Sequence, residues 1–319
     1  MSTTALEAPR HQRVVIVTAV VAAVAGALMV TPTIATQFWI ALAPIAFFGL
    51  AHGGADPWLV HRLARTDRRT ALTWFAAYMA LATGFVGVIL WQSLLALMLF
   101  LLLSIWHFGR SDAPFQGFRR GSPAIWLAGS IPIIGPMMGH PAQTGQLFAW
   151  LLGYEAGAVI AAVGFLGPIL LAIWTVGLTG VWLTGTSGQS RLGTLELLAL
   201  AAAMILLPPI IAFTFYFCVV HSTRHFLEIL ATSQPVTRSV PAWRFLVRQA
   251  APATLAAIAL GAIAWWFLGT GRELPGMTSD GIRVLFWGLA ALTVPHVLVV
   301  ERWWAPVHGD GPEGSTPHS

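Results

Sequence analysis

The chain has 319 residues, of which 57% are hydrophobic and 9% charged, and its mean hydropathy of +0.75 lies well outside the range of soluble domains. All seventeen basic residues are arginines lying in short gaps between apolar runs, so the formal charge of +5 reads as a set of membrane-orientation signals and excludes a nucleic-acid-binding surface. The single cysteine, Cys218, excludes an internal disulfide and any cysteine-rich zinc or iron-sulfur site, which leaves His, Asp and Glu as the available metal ligands.

Residues 1–13, ending in "RHQR", are expected to form a cytoplasmic tail, and Val14 to Thr31 the first membrane helix, because further spans come at once where a secretory leader would be cut. Apolar runs then predict spans at 37–60, 71–89, 91–110, 123–139, 157–184, 250–269 and 282–300, each long enough at about 1.5 Å per residue to cross a hydrocarbon core. The stretch from Thr194 to Leu230 is too long for one crossing and is interrupted by Pro208-Pro209, so it should enter and return as a broken hairpin. That path keeps Arg191, Arg238, Arg244 and Arg248 on the same face as Arg10, Arg13, Arg62, Arg65, Arg68, Arg69, Arg110, Arg119 and Arg120, and the arginine face should be cytoplasmic. The fold expected is therefore all-α, a polytopic transmembrane helix bundle of about eight spans plus a proline-broken helical hairpin. One membrane domain covers 14–303, and the polar segment 304–319 should be a disordered tail. The place for such a chain is the cell membrane, as a multi-pass protein of a bacterial or archaeal inner membrane, with lipid as its surroundings.

Four histidines share a depth in this scheme. Counted from the uncharged side, His52, His107, His221 and His296 lie about 12 to 16 residues into their helices, roughly 18 to 24 Å deep. Ionisable residues in hydrocarbon are costly and point to function. His221 and His225 have i, i+4 spacing, which puts both rings on one helix face where a single ion can meet them. Imidazoles suit iron, copper, nickel and zinc alike, so the ligands do not name the metal. Asp56, four residues after His52, and Glu228, three after His225, could orient those rings as hydrogen-bond acceptors or pair with nearby arginines, Glu228 with Arg224 for example. His296 follows Pro295 and could line the cavity or bond the carbonyl that the proline frees. Gly53, Gly54 and Gly109 would let helices approach closely beside the rings. His11, His61, His140, His308 and His318 lie near ends or loops and are expected in solvent. Most of the fifteen tryptophans should be interfacial anchors, while Trp106, next to His107, is a candidate wall for a long flat substrate.

With "GLAHGGAD", "SIWHFGRSD", "HSTRHFLE" and "LTVPHVLVV" in this order on an all-helical membrane chain, the sequence resembles the Brp/Blh family of β-carotene 15,15'-dioxygenases over residues 45–303. The resemblance implies oxidative cleavage of β-carotene by O2 at the central double bond to two all-trans-retinal molecules, at an Fe(2+) ion held by His52, His107, His221 and His225. It also suggests delivery of retinal to a rhodopsin as a partner. The sequence departs from the family pattern at Ala51 and Pro57, which bears on the shape of the pocket more than on the ligands. Three rivals use similar residues. A bis-histidine haem protein wants opposed rings from different helices, a diiron desaturase or hydroxylase needs about eight histidines, and a transporter of protons, metal or carotenoid would use intramembrane groups without chemistry.

Overall fold

In hydrocarbon every backbone N–H and C=O must be paired within the chain, and for runs this apolar the helix is the conformation that does so segment by segment. The computed structural model describes residues 3–64, 67–119, 122–184, 191–233, 241–269 and 273–307, and every regular element among them is helical. Arg65, Arg120 and Arg238, His308 and His318, and the polar tail from 308 onward lie outside the described residues. Among the described residues eight helical stretches are long and apolar enough to cross a membrane.

Helix α1 (Thr3–Leu28) begins well before the expected first span. Arg10 and Arg13 thus ride on this helix, and His11 is half-buried edge-on to Phe115 instead of solvated. The second span is segmented: α2 (Ile34–Pro44), a π-helical turn (Ile45–Gly49), α3 (Leu50–Gly54) and α4 (Asp56–Leu63). Next come α5 (Arg68–Trp91) and α6 (Ser93–Asp112), the latter ending in a 3-10 turn at Ala113–Gln116.

Helix α7 (Ile125–Gly139), expected as a full span, has only 15 residues and is buried on nearly every side, as an all-apolar helix should be. It is followed by α8 (Pro141–Leu152) and the lipid-facing α9 (Ala156–Thr184). The proline-broken hairpin is present: α10 (Arg191–Leu206) leads to Pro208, whose extended ψ of 146° breaks the helix. The chain returns through α11 (Pro209–Thr214), a π-helical segment (Phe215–His221) and α12 (Ser222–Thr232), a return arm itself long enough to cross. Helix α13 (Ala242–Gly269) and the 34-residue α14 (Leu274–Val307) complete the bundle.

Helices α1, α5, α9 and α13 carry much of the exposed Val, Leu, Phe and Trp, the surface that a bilayer would cover. The interior lies between α1, α10 and α11, around Leu200, Met204, Ile210 and Tyr216. A second apolar cluster joins Leu59, Ile229, Phe245 and Val300. Gly109 and Gly54 permit close helix approaches beside the histidines, since a Cβ would stand 2.0 Å from the Ile125 carbonyl oxygen of α7 at Gly109 and 2.6 Å from the Ala250 carbonyl oxygen of α13 at Gly54.

The hairpin's break is held by one buried amide. Gln37 Oε1 accepts from the Ile210 N–H at 3.1 Å, while its Nε2 donates to the Pro32 carbonyl at 3.0 Å and to Gln143 Oε1 at 2.8 Å. The first amides of α11 lack an intrahelical acceptor, and Gln37 supplies one. Gln37→Leu should therefore leave the Ile210 N–H unsatisfied at a cost of about 1–3 kcal/mol, measurable as a lower unfolding midpoint in detergent.

Candidate metal centre

Two π-helical turns set the site. The one at Ile45–Gly49 ends just before His52, and the one at Phe215–His221 ends on His221 itself. The two turns pack together through Gly49 and Phe217, where a Cβ on Gly49 would meet the phenyl ring at 2.6 Å. A π turn inserts one residue into the helical register and rotates the residues beyond it, a device common at functional sites. His225 lies one turn beyond His221, on α12. His107 comes from α6 and His296 from α14.

These five rings converge. His52, His107, His221, His225 and His296 are all buried, between 0% and 6% exposed. Ring centroids form a closed loop running His52–His221 (5.2 Å), His221–His107 (5.1 Å), His107–His296 (5.2 Å) and His296–His52 (4.9 Å). His225 adjoins the loop at 5.5 Å from His52 and 5.3 Å from His296. With metal–nitrogen bonds of about 2.1 Å, a ring centre stands about 3.2 Å from the ion, and two rings on one ion are about 4.5 Å apart at a right angle and about 5.2 Å apart at a tetrahedral one. The observed spacings, 4.9 to 5.5 Å, lie close to that range. Among the described residues no three His, Cys, Asp or Glu donors stand as a ready-made ion cage, so the structure shows converging rings and not a closed coordination shell.

The nitrogens support the fit. Neither ring nitrogen of His107 or His221 makes a hydrogen bond, and the Nε2 of His296 makes none. Buried polar atoms are nearly always paired, so a cluster of orphaned imidazole nitrogens asks for an electrophile. His52 turns its Nδ1 to the Gly49 carbonyl and to Ser222 Oγ at 3.2 Å.

On one side of the rings lies a cavity of about 20 Å³, room for one water-sized molecule. It is bounded by His52, His107, His221 and His296 and otherwise mainly by apolar side chains, among them Phe100, Phe213 and Leu289.

A family model described as beta-carotene 15,15'-dioxygenase matches residues 43–304. The chain belongs to this dioxygenase family. It is 29% identical over 297 residues to a "Probable beta-carotene 15,15'-dioxygenase Blh" of Halobacterium salinarum, covering 84% of each chain. It is 26% identical over 275 residues to a "Beta-carotene 15,15'-dioxygenase" of uncultured marine bacterium 66A03, covering 84% of this chain and 94% of that one. No solved structure matches the chain.

Around the rings, this member of the dioxygenase family departs from the expected second layer. Asp56 does not serve its helix-mate His52; it accepts from Tyr78 at 2.9 Å and lies 2.8 Å from His296 Nδ1. The reason is the break at Ala55, which ends α3 and restarts the helix at Asp56, so the i+4 relation to His52 is lost. Trp106 packs away from the rings, beside the apolar cluster around Ile125 and under Arg110, because its neighbour His107 takes the inward face. Trp304, which the sequence reading did not single out, is stacked on His107 at 6.4 Å. Glu228 is half-buried on α12. Arg224, its expected partner, turns inward to Glu196 Oε1 at 2.5 Å and Asp112 Oδ2 at 3.5 Å.

Asp112, Glu196 and Tyr216 are the residues that sequence reasoning missed. Asp112 accepts from the Tyr216 hydroxyl at 2.5 Å and stands 3.6 Å from His221 Nδ1. Glu196 also accepts from Gln116 Nε2 at 2.9 Å. A signal for Asp112 existed, since "HGGAD" and "HFGRSD" each set an aspartate shortly after a histidine. Each of these aspartates faces a histidine from another helix. With Arg224, Asp112 and Glu196 all fully buried, Arg224→Met would strand two carboxylates and should cost about 3–5 kcal/mol. Folded yield and thermal stability in detergent would report it, and adding Glu196→Gln should restore part of the loss.

Proposed function

We propose that this protein cleaves β-carotene with O2 at the central 15,15' double bond, giving two all-trans-retinal molecules, at an iron(II) ion held by His52, His107, His221 and His225. The observation that carries the reading is the convergence of buried imidazoles from separate helices beside an apolar cavity, in a chain whose relatives bear the dioxygenase name. The residues fit the ion: the donor set is all nitrogen, neutral and suited to iron, and the ring nitrogens of His107 and His221 make no hydrogen bond that would compete for their lone pairs. Bound there, iron(II) would supply the redox chemistry that dioxygen requires.

The reaction balances without a further reductant. One carbon–carbon double bond breaks, both oxygen atoms of O2 are incorporated, and each ends in one aldehyde. The protein's own part is to bind, orient and exclude water. Phe100, Phe213 and Leu289 keep the approach apolar, which favours a polyene and dioxygen, both soluble in hydrocarbon, over water. The cavity as it stands has room for a water-sized molecule, so the polyene must part these side chains as it slides in from the bilayer. Asp112 stands where it can keep the His221 ring turned, with Nδ1 toward the carboxylate and Nε2 toward the shared centre. Retinal released into the bilayer would be available to a rhodopsin, and the arginine-rich face would be cytoplasmic.

A haem between two of these rings would need a slot as wide as a porphyrin. The rings cross edge to face, and the space among them admits one small molecule.

Expression in a β-carotene-accumulating bacterium should bleach the cells and yield retinal on chromatography of the extract. His221→Ala should abolish the product while the protein still reaches the membrane. Unchanged pigment, with protein present and iron supplied, would refute the reading. Ser104→Trp, which fills the cavity one turn before His107, should lower retinal formation at least tenfold with iron content retained, as assayed on the purified variant.

A further inference from the structure

We propose that His296 is a fifth imidazole of the metal-binding set, aimed at the ion by Asp56 and Tyr78; this rests on the proposed metal centre. Three observations converge on it. The ring of His296 touches those of His52, His107 and His225 at 4.9, 5.2 and 5.3 Å, and it closes the loop around their common centre. Its Nδ1 lies 2.8 and 3.0 Å from the two oxygens of Asp56, a carboxylate only 1% exposed that also accepts from the Tyr78 hydroxyl. Its Nε2, on the other side of the ring, is buried with no hydrogen-bond partner.

A histidine serving only the packing of α14 would account for the Asp56 contact and leave Nε2 unexplained. Proton on Nδ1 and lone pair on Nε2 is the tautomer that a carboxylate imposes on a metal-bound imidazole. Tyr78 holds the carboxylate in turn, so that α5, α4 and α14 together fix one ring. Five nitrogens around an ion that accepts six donors would leave one position, and the cavity bounded by His52, His107, His221 and His296 is where it would open.

The test uses the full-length purified protein, loaded anaerobically with iron(II), or with cobalt(II) as a spectroscopic stand-in. His296→Ala, the more conservative His296→Gln and Asp56→Asn are compared with wild type, with His221→Ala, and with His61→Ala, a change at an exposed histidine away from the site. Competition against a chelator should show iron(II) affinity lowered about 10–100-fold in Asp56→Asn and at least as far in the His296 variants. The visible cobalt(II) bands should change in the His296 variants, and added imidazole should restore them in His296→Ala. Wild-type affinity and spectrum in both His296 variants, with metal lost in His221→Ala, would overturn the fifth ligand and leave the metal centre standing. A wild-type protein that binds neither ion would bring down both. Should the His296 variants fail to fold, X-ray absorption at the iron edge of the wild type decides: scattering from five imidazoles supports the assignment and from four overturns it.

Discussion

The structure turns on placing polar nitrogen atoms where there is no water. Five imidazoles, the carboxylates of Asp56, Asp112 and Glu196 and the guanidinium of Arg224 are buried within a bundle whose outer surface is rich in Leu, Val, Phe and Trp. An unpaired polar group in such surroundings is expensive, so each has to be given a partner by some other part of the chain. The carboxylates and Arg224 find theirs in one another and in Tyr78, Tyr216 and Gln116. Several imidazole nitrogens make no hydrogen bond within the protein, and that remainder of unsatisfied basicity is the physical ground for the proposed metal centre.

Much of the irregularity of the fold arises from this demand. A straight second span would present His52 and Asp56 on one face, yet the π turn ending at Gly49 and the break at Ala55 point the ring at the centre and the carboxylate at His296. The return arm of the hairpin repeats the device, with a π segment ending on His221. The two distorted turns lie against each other, so each is supported by the packing of the other. Regular helices at the rim, α9 and α13, carry no such burden and are largely apolar surface.

The two aspartates are crossed between helices: Asp56 comes after His52 in sequence and serves His296, and Asp112 comes after His107 and stands beside His221. Such crossing ties α4 to α14 and α6 to the return arm through polar contacts, in a medium where apolar packing alone discriminates weakly between neighbours. The ring positions and the bundle's register are thereby set by the same contacts.

Composition and the spacing of apolar runs determined the all-helical membrane bundle, the break at Pro208-Pro209 and the histidines of interest, because hydrocarbon thickness and backbone pairing act on any chain this apolar. The i, i+4 pair of His221 and His225 was legible for the same reason: its spacing lies within one helix. What could not be read were relations between helices and departures from regular helix. The redirection of Asp56 needs the break at Ala55, the outward turn of Trp106 needs the rotation of α6, and the place of His296 among the rings needs the approach of α14. Those features depend on register and rotation set by packing across the bundle, where one inserted residue in a π turn changes which side chain faces inward, and only the tertiary structure decides them.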